Sequence, residues 1–405
     1  MPSPGFYRER KPRMSVRTDY NHTLYASYVG YITQAINNNY APLLFLTFRR
    51  QFGLSLEQIT LITTLNFAVQ LAVDLISARM VDKLGYRVLI VAAHVLSALG
   101  LAALAVLPGV MPSFAGILTA VVLYAIGGGL CEVMISPIVE ACPTKKKEAA
   151  MSLLHSFYCW GHLGVILLST LFFSVFGIEH WRVLALLWAL IPLANTFYFA
   201  AVPLYPIAAG HEPMSLRSLL GQKVFWVLML VMVCAGASEQ AMSQWASAFA
   251  ESALHVSKTA GDLAGPCTFA LLMGTARALY GKFSERLPLK KVMLACGGLC
   301  VIAYLLAALT ASPALGLAGC GLCGFSVGIF WPGTFSIAAW NLPAAGTAMY
   351  ALMALAGDVG CSGGPTLVGL VAGAADGRLQ SGLLAAIVFP VVILLGISRL
   401  KHKEA

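Results

Sequence analysis

The sequence predicts an all-α membrane protein of twelve transmembrane helices, arranged as two pseudo-twofold-related six-helix bundles. Three observations predict it. Of 405 residues, 59% are hydrophobic and only 11% charged, whereas soluble domains carry about 25% charged residues. Apolar runs recur along the chain at the roughly 20-residue length that a helix needs to cross the hydrocarbon core. Lysines and arginines gather in alternate loops between those runs, the pattern that sets membrane orientation.

The spans read, in order, 24–47, 57–78, 88–107, 114–138, 149–176 and 182–203, then 223–248, 260–283, 291–310, 314–338, 346–371 and 379–398. Between the two sets, residues 204–222 form the longest polar interruption, with Pro206, His211, Glu212, Pro213 and Arg217. The expected organisation is an N-terminal arm (1–23), a first bundle (24–203), a linker (204–222), a second bundle (223–398) and a short tail (399–405).

With the N-terminus inside, 21 of the 26 Lys and Arg residues fall on the inner side and 5 on the outer. This positive-inside bias places both termini in the cytoplasm and requires an even helix count. The first twenty residues are polar and basic, without the pattern of a cleavable signal. The expected location is a bacterial inner membrane, crossed many times. The Asn21-His22-Thr23 sequon lies on the cytoplasmic arm, where glycosylation is not expected. A net charge of +9 would suggest nucleic acid in a soluble protein. Here it resides in short loops and reports topology, so no nucleic-acid partner is expected. The ten cysteines are scattered through apolar segments and suit packing. Cys320 and Cys323 form a CxxC with no second pair or nearby His, so no metal is expected.

The halves carry a related loop. After the second span the chain reads Asp82-Lys83-Leu84-Gly85-Tyr86-Arg87-Val88; after the eighth it reads Glu285-Arg286-Leu287-Pro288-Leu289-Lys290-Lys291. Acid, base, apolar residue, turn residue and further base recur 203 positions apart, as in a duplicated transporter.

At this loop the chain resembles the major facilitator superfamily, whose loop between helices two and three carries roughly G-x-x-x-D-R/K-x-G-R/K-R/K. Asp82, Lys83, Gly85 and Arg87 match, while Ala78 replaces the leading glycine and Tyr86 one base. A finer resemblance lies in the fourth span, Gly127-Gly128-Gly129-Leu130-Cys131-Glu132-Val133-Met134-Ile135-Ser136-Pro137. It is similar to the fucose/galactose/glucose proton-symporter branch, where a glutamate five positions before a proline helps couple sugar to proton. Fucose members also carry an aspartate four residues before a proline in the first helix. This chain has Asn38 before Pro42, a departure that weighs against fucose specificity and a two-carboxylate relay.

The resemblance implies a cavity lined mainly by helices 1, 4, 7 and 10. Ionisable groups are costly at membrane depth, so those in the spans are functional candidates. Glu132 is the expected proton carrier, with Asp358 as a second; the competing reading of Glu132 is a structural hydrogen bond to a neighbouring helix. Asn37 and Asn38 lie 202 positions before Glu239 and Gln240. With Gln244 these are expected to bind the solute, the bland alternative being polar glue between helices. Trp331 and Tyr158 are the aromatic candidates, against ordinary packing. Asp74 and Arg277 stand 203 apart, each eight residues before the loop acid of its half. Eight helical residues span about 12 Å, which puts both in the inner third of the membrane. Asp74, Asp82, Arg87, Arg277 and Glu285 are therefore expected at the inner gate.

No catalytic motif, P-loop or cofactor signature is present, so neither an enzyme nor an ATP-driven pump is expected. The reading is a monomeric secondary transporter that alternates access to a midplane site. It moves a small polar solute, most simply a sugar, with a proton as coupling ion and the bilayer as its other partner. Its rivals are a proton-coupled exporter of drugs or amphipathic metabolites and a non-transporting solute sensor. Organic anions and amino acids are disfavoured because spans 1, 4, 7 and 10 lack a mid-membrane base and Arg277 is expected nearer the inner end.

Overall fold

The computed structural model describes residues 16–144, 147–205, 216–283, 286–310, 312–342 and 346–400, and among these all regular structure is helical. Nine helices of the described residues are long and apolar enough to cross a membrane. We label the helical passages α1 (Tyr20–Asn39, continued by Ala41–Leu44 and Phe45–Phe52), α2 (Leu56–Ser77), α3 (Lys83–Val110) and α4 (Ser113–Ala141). They continue as α5 (Lys147–Phe176) and α6 (Trp181–Ala201), then α7 (Lys223–Ser252) and α8 (Thr268–Phe283, led in by Lys258–Asp262 and Leu263–Cys267). The last four are α9 (Leu289–Leu309), α10 (Pro313–Asn341), α11 (Gly346–Ala374) and α12 (Leu379–Arg399). Each sequence-derived span thus holds helical residues. Those outside the nine are α1, α8 and α11, diluted by Gln34 and Asn37–Asn39, by Arg277 and Lys282, and by Asp358 among glycines.

Local chemistry sets the helix ends. Ser55 and Gln58 close a capping box before α2: the Gln58 N–H donates to Ser55 Oγ at 3.2 Å and the Ser55 N–H to Gln58 Oε1 at 2.9 Å. Near the start of α3 the backbone turns at Gly85, with φ 75° and ψ 159°, a region open to glycine and strained for other residues. α1 breaks after Asn39, where Pro42 of the following turn removes a backbone donor.

The outward surface is apolar. Phe197, Val175 and Leu171 are 69%, 65% and 61% exposed, as expected where lipid is the solvent. Inside the second bundle, α7 and α11 approach through glycine. A side chain at Gly360 would strike the carbonyl of Val233, and one at Gly236 the carbonyl of Gly357. Such close backbone approach is how helices pack without a hydrophobic driving force.

The repeated loop has a structural role in the described conformation. Arg87 donates from Nη1 to the carbonyls of Phe199 (2.9 Å) and Ala200 (3.0 Å) and from Nη2 to that of Val202 (2.9 Å). It thereby caps the C-terminal end of α6 within its own bundle. Lys290, 203 positions later, donates to the carbonyls of Ser398 (3.1 Å) and Leu400 (2.6 Å) at the end of α12. The two halves thus use the corresponding base for the same task. Glu285 lies outside the described residues, as does the side chain of Asp82.

Removing the Arg87 cap by Arg87→Ala exposes three carbonyls at once and should cost about 1.5–3 kcal/mol, read as a lower melting temperature of the detergent-purified protein. An unchanged melting temperature would mean that water satisfies those carbonyls equally well. Gly360→Ala should be more damaging, because a backbone carbonyl cannot yield as a side chain can.

Candidate functional site

The polar residues of the membrane interior converge where the two bundles meet. On α1, Asn38 Oδ1 accepts from Gln70 Nε2 (2.9 Å) and Asn66 Nδ2 (3.2 Å) of α2, while its backbone carbonyl accepts from Gln244 Nε2 of α7 at 3.1 Å. Gln244 Nε2 also donates to Gln240 Oε1 (3.1 Å), and Gln240 Nε2 to Glu239 Oε1 (3.3 Å). Tyr158 of α5 stands near Asn38 and Asn39. This chain of amides and a carboxylate, with the phenol beside it, runs from the first half into the second. Its members Asn38, Glu239, Gln240 and Gln244 are each at most 6% exposed.

Arg277 is placed differently from the sequence-based expectation. Its Nη2 lies 3.8 Å from Glu239 Oε2, and its Nη1 donates to Cys159 Sγ of α5 at 3.1 Å. The long side chain reaches from α8 to the central cluster, so a base does stand beside the amides. His155 and His162 of α5 lie within electrostatic reach of the same guanidinium.

A second cluster is acidic. Gln34 Nε2 donates to Glu132 Oε2 at 2.5 Å. Asp74 of α2 stands near Asp358 of α11, and Glu132 lies within electrostatic reach of both. Two carboxylates so placed in a low-dielectric setting repel each other unless one is protonated. The register supports the pairing. α2 and α11 run antiparallel, with Glu57 against Gly373, Thr60 against Gly369 and Thr64 against Thr366. Continuing that register brings Asp74 level with Asp358.

Other expected site residues lie apart. Asn37 donates to Ser97 Oγ (2.9 Å) and the Tyr124 carbonyl (3.2 Å), binding α1 to α3 and α4 inside the first bundle. Trp331 packs its ring on Gly357, next to the Asp358 position. Neither joins the amide chain. Sequence reasoning missed Gln34, Asn39, Asn66 and Gln70. The signal was present: residues 66, 70 and 74 form a polar stripe at four-residue spacing on one face of α2.

At the end of the bundle away from the chain termini, the halves are joined. Arg50 Nη2 and Glu251 Oε1 pair at 2.6 Å, Ser174 Oγ meets Thr259 Oγ1 at 3.2 Å, and Phe45 packs on Trp245 with ring centroids 5.5 Å apart. The main apolar core also draws on both halves. Toward the terminal end, Leu24, Leu89, Ile138, Leu154 and Phe199 belong to a separate apolar cluster, made among the described residues from the first half alone.

A two-part helical bundle with a polar seam at mid-membrane defines a class: polytopic transporters that work between two halves. The sequence matches the model of the Major Facilitator Superfamily over residues 27–399, and the chain belongs to that family. It is therefore a multi-pass membrane transporter of this superfamily. No curated protein sequence matches it.

Among solved structures, it is similar to a bacterial homologue of the human lysosomal transporter Spinster in an inward-facing, unoccupied conformation. That likeness has a TM-score of 0.74 at 16% identity, covering 93% of this chain and 96% of the other. It is also similar to a mutant of the nucleoside transporter NupG, with a TM-score of 0.75 at 13% identity over 93% and 99% of the two chains. A mutant of the E. coli fucose:proton symporter FucP gives 0.64 at 17% identity over 95% and 99%. At these identities the likeness speaks to the fold.

Replacing Ser174 and Thr259 together by Cys should give a disulfide on mild oxidation, seen as a mass or mobility change. The ten native cysteines are buried and should contribute little background. Absence of the cross-link in folded protein would place the two helices too far apart for the 4.4–6.8 Å Cα spacing that a disulfide requires.

Proposed function

We propose that the protein is a secondary active transporter of a small hydroxyl-bearing solute, most simply a sugar, driven by a proton gradient through alternating access. The observation that carries the reading is the amide chain from Asn38 to Gln240. It bridges the two halves at mid-membrane, where a solute touching both can bias which end is open. Amide groups offer donor and acceptor together, which suits the hydroxyl ring of a sugar, and Tyr158 adds a phenol beside them.

Proton coupling is assigned to the acidic cluster. Glu132, held by Gln34, and the Asp74–Asp358 pair lie on both sides of the seam. Losing the proton of that pair leaves two negative charges facing each other in a low-dielectric setting, which drives the halves apart there. Asp74 thus acts at the gate through Asp358 and not through a basic partner. The FucP structure, from a fucose:proton symporter, supports the sugar and proton reading by analogy of fold alone. With both termini cytoplasmic, as the charge bias indicates, the joined end is the outer one and the described conformation faces inward. The protein acts as a monomer in a bacterial inner membrane, with the linker 204–222 on the cytoplasmic side.

The test is pH-driven uptake of a labelled sugar panel into proteoliposomes by wild type, Glu132→Gln and Asp358→Asn. Accumulation of one sugar against its gradient is expected for wild type, with only downhill exchange in the variants. If a folded preparation moves no sugar but expels an amphipathic compound in exchange for protons, the exporter reading replaces this one.

A further inference from the structure

The guanidinium of Arg277 is poorly served. It offers five N–H donors. Nε donates to the carbonyl of Gly328 at 3.1 Å, Nη1 to the thiol sulfur of Cys159 at 3.1 Å, and Nη2 points to Met273 Sδ at 4.0 Å. One oxygen and two sulfurs, which are weak acceptors, are a meagre set for a cation in the middle of a membrane protein.

Its acidic neighbour does not remedy this. Glu239 Oε2 stands 3.8 Å away, beyond hydrogen-bonding distance. That oxygen is buried without a hydrogen-bond partner, while Oε1 is held by the Gln240 amide. Glu239 as a whole is only 6% exposed. The Arg277 side chain is part-buried, 27% exposed, and a part-buried charge short of acceptors and a buried unpaired oxygen both cost free energy. Here they face each other 3.8 Å apart at the seam, with Cys159 and Tyr158 on the opposite half.

We infer that the transported solute carries a carboxylate and that Arg277 receives it, so that the substrate class is a hydroxylated monocarboxylate, a sugar acid, and not a neutral hexose. The inference rests on the reading of the amide chain as the solute site and narrows it. A carboxylate presents two oxygens in the geometry of the guanidinium fork and supplies the acceptors that Nη1 and Nη2 lack. The hydroxyls of the same molecule then fall toward Gln240, Gln244 and Asn38. Glu239 limits the charge: a dianion such as a phosphate ester would set two further negative charges beside that carboxylate against one guanidinium. Spans 1, 4, 7 and 10 lack a central base, and Arg277, reaching in from α8, supplies one.

The deciding experiment is calorimetric titration of purified full-length protein with D-glucuronate and D-glucose, which differ at one carbon. In wild type, glucuronate should bind about 10–100-fold more tightly, the range expected for hydrogen bonds to a charged group. In Arg277→Gln that ratio should fall to near one, and Arg277→Lys should restore part of it. Equal or tighter binding of glucose by wild type overturns the carboxylate assignment and leaves the hydroxylated-solute reading standing. If neither sugar binds while a melting curve shows folded protein, both fail. The wild-type comparison alone decides the matter should the Gln variant not fold.

Discussion

A polar side chain inside a membrane must find its partner within the protein, because the hydrocarbon offers none. That constraint organises this bundle. Lipid-facing positions are given over to residues such as Leu171, Val175 and Phe197. The amides and carboxylates of α1, α2, α4, α7 and α11 turn inward and join one another. Asn38 alone is engaged with α2 through its side chain and with α7 through its carbonyl. Because the polar residues concentrate where the halves meet, the same requirement that excludes them from lipid also creates a place for a solute.

The two halves differ from the seam in how they are held. Within the second bundle, Gly236, Gly360 and Gly364 let backbones touch, and such contacts resist sliding because no side chain can rotate away. Within the first, Asn195 Nδ2 bonds the Ala26 carbonyl at 3.0 Å and lies 2.8 Å from His94 Nε2, tying α6 to α1 and α3. Across the seam the bonds join side chains that can exchange partners: an amide to a carbonyl, two pairs of hydroxyls, a guanidinium to a thiol, and the Arg50–Glu251 ion pair. Rigid units joined by replaceable contacts are what a rocking motion needs.

Much of this was legible in the sequence. Length and apolarity located the helical passages, and the polar pairs at 37–38 and 239–240 marked mid-membrane depth in both halves. The rest was not, for identifiable reasons. Apolarity gives a helix its depth but not its rotation, so Asn37 and Asn38, one residue apart, were grouped although one faces its own bundle and the other the seam. Depth along the axis also mispositions long side chains: Arg277 starts on α8 and ends against Glu239. The capping role of Arg87 was not legible because the carbonyls it caps lie more than a hundred residues away in the chain. The stripe of Asn66, Gln70 and Asp74 was readable by period but was obscured by the apolar residues around it.

The capping bases have one more implication. Positive residues at the cytoplasmic ends of membrane helices are usually regarded as labels for the insertion machinery, dispensable once the chain is in place. Arg87 and Lys290 stay in use: each fastens the closing helix of its six-helix unit to the third. In the orientation proposed above, orientation and architecture are therefore written in the same two side chains. A lineage that reversed its insertion by shedding these charges would unlatch both bundles in the process, which makes the topology of this chain hard for evolution to invert.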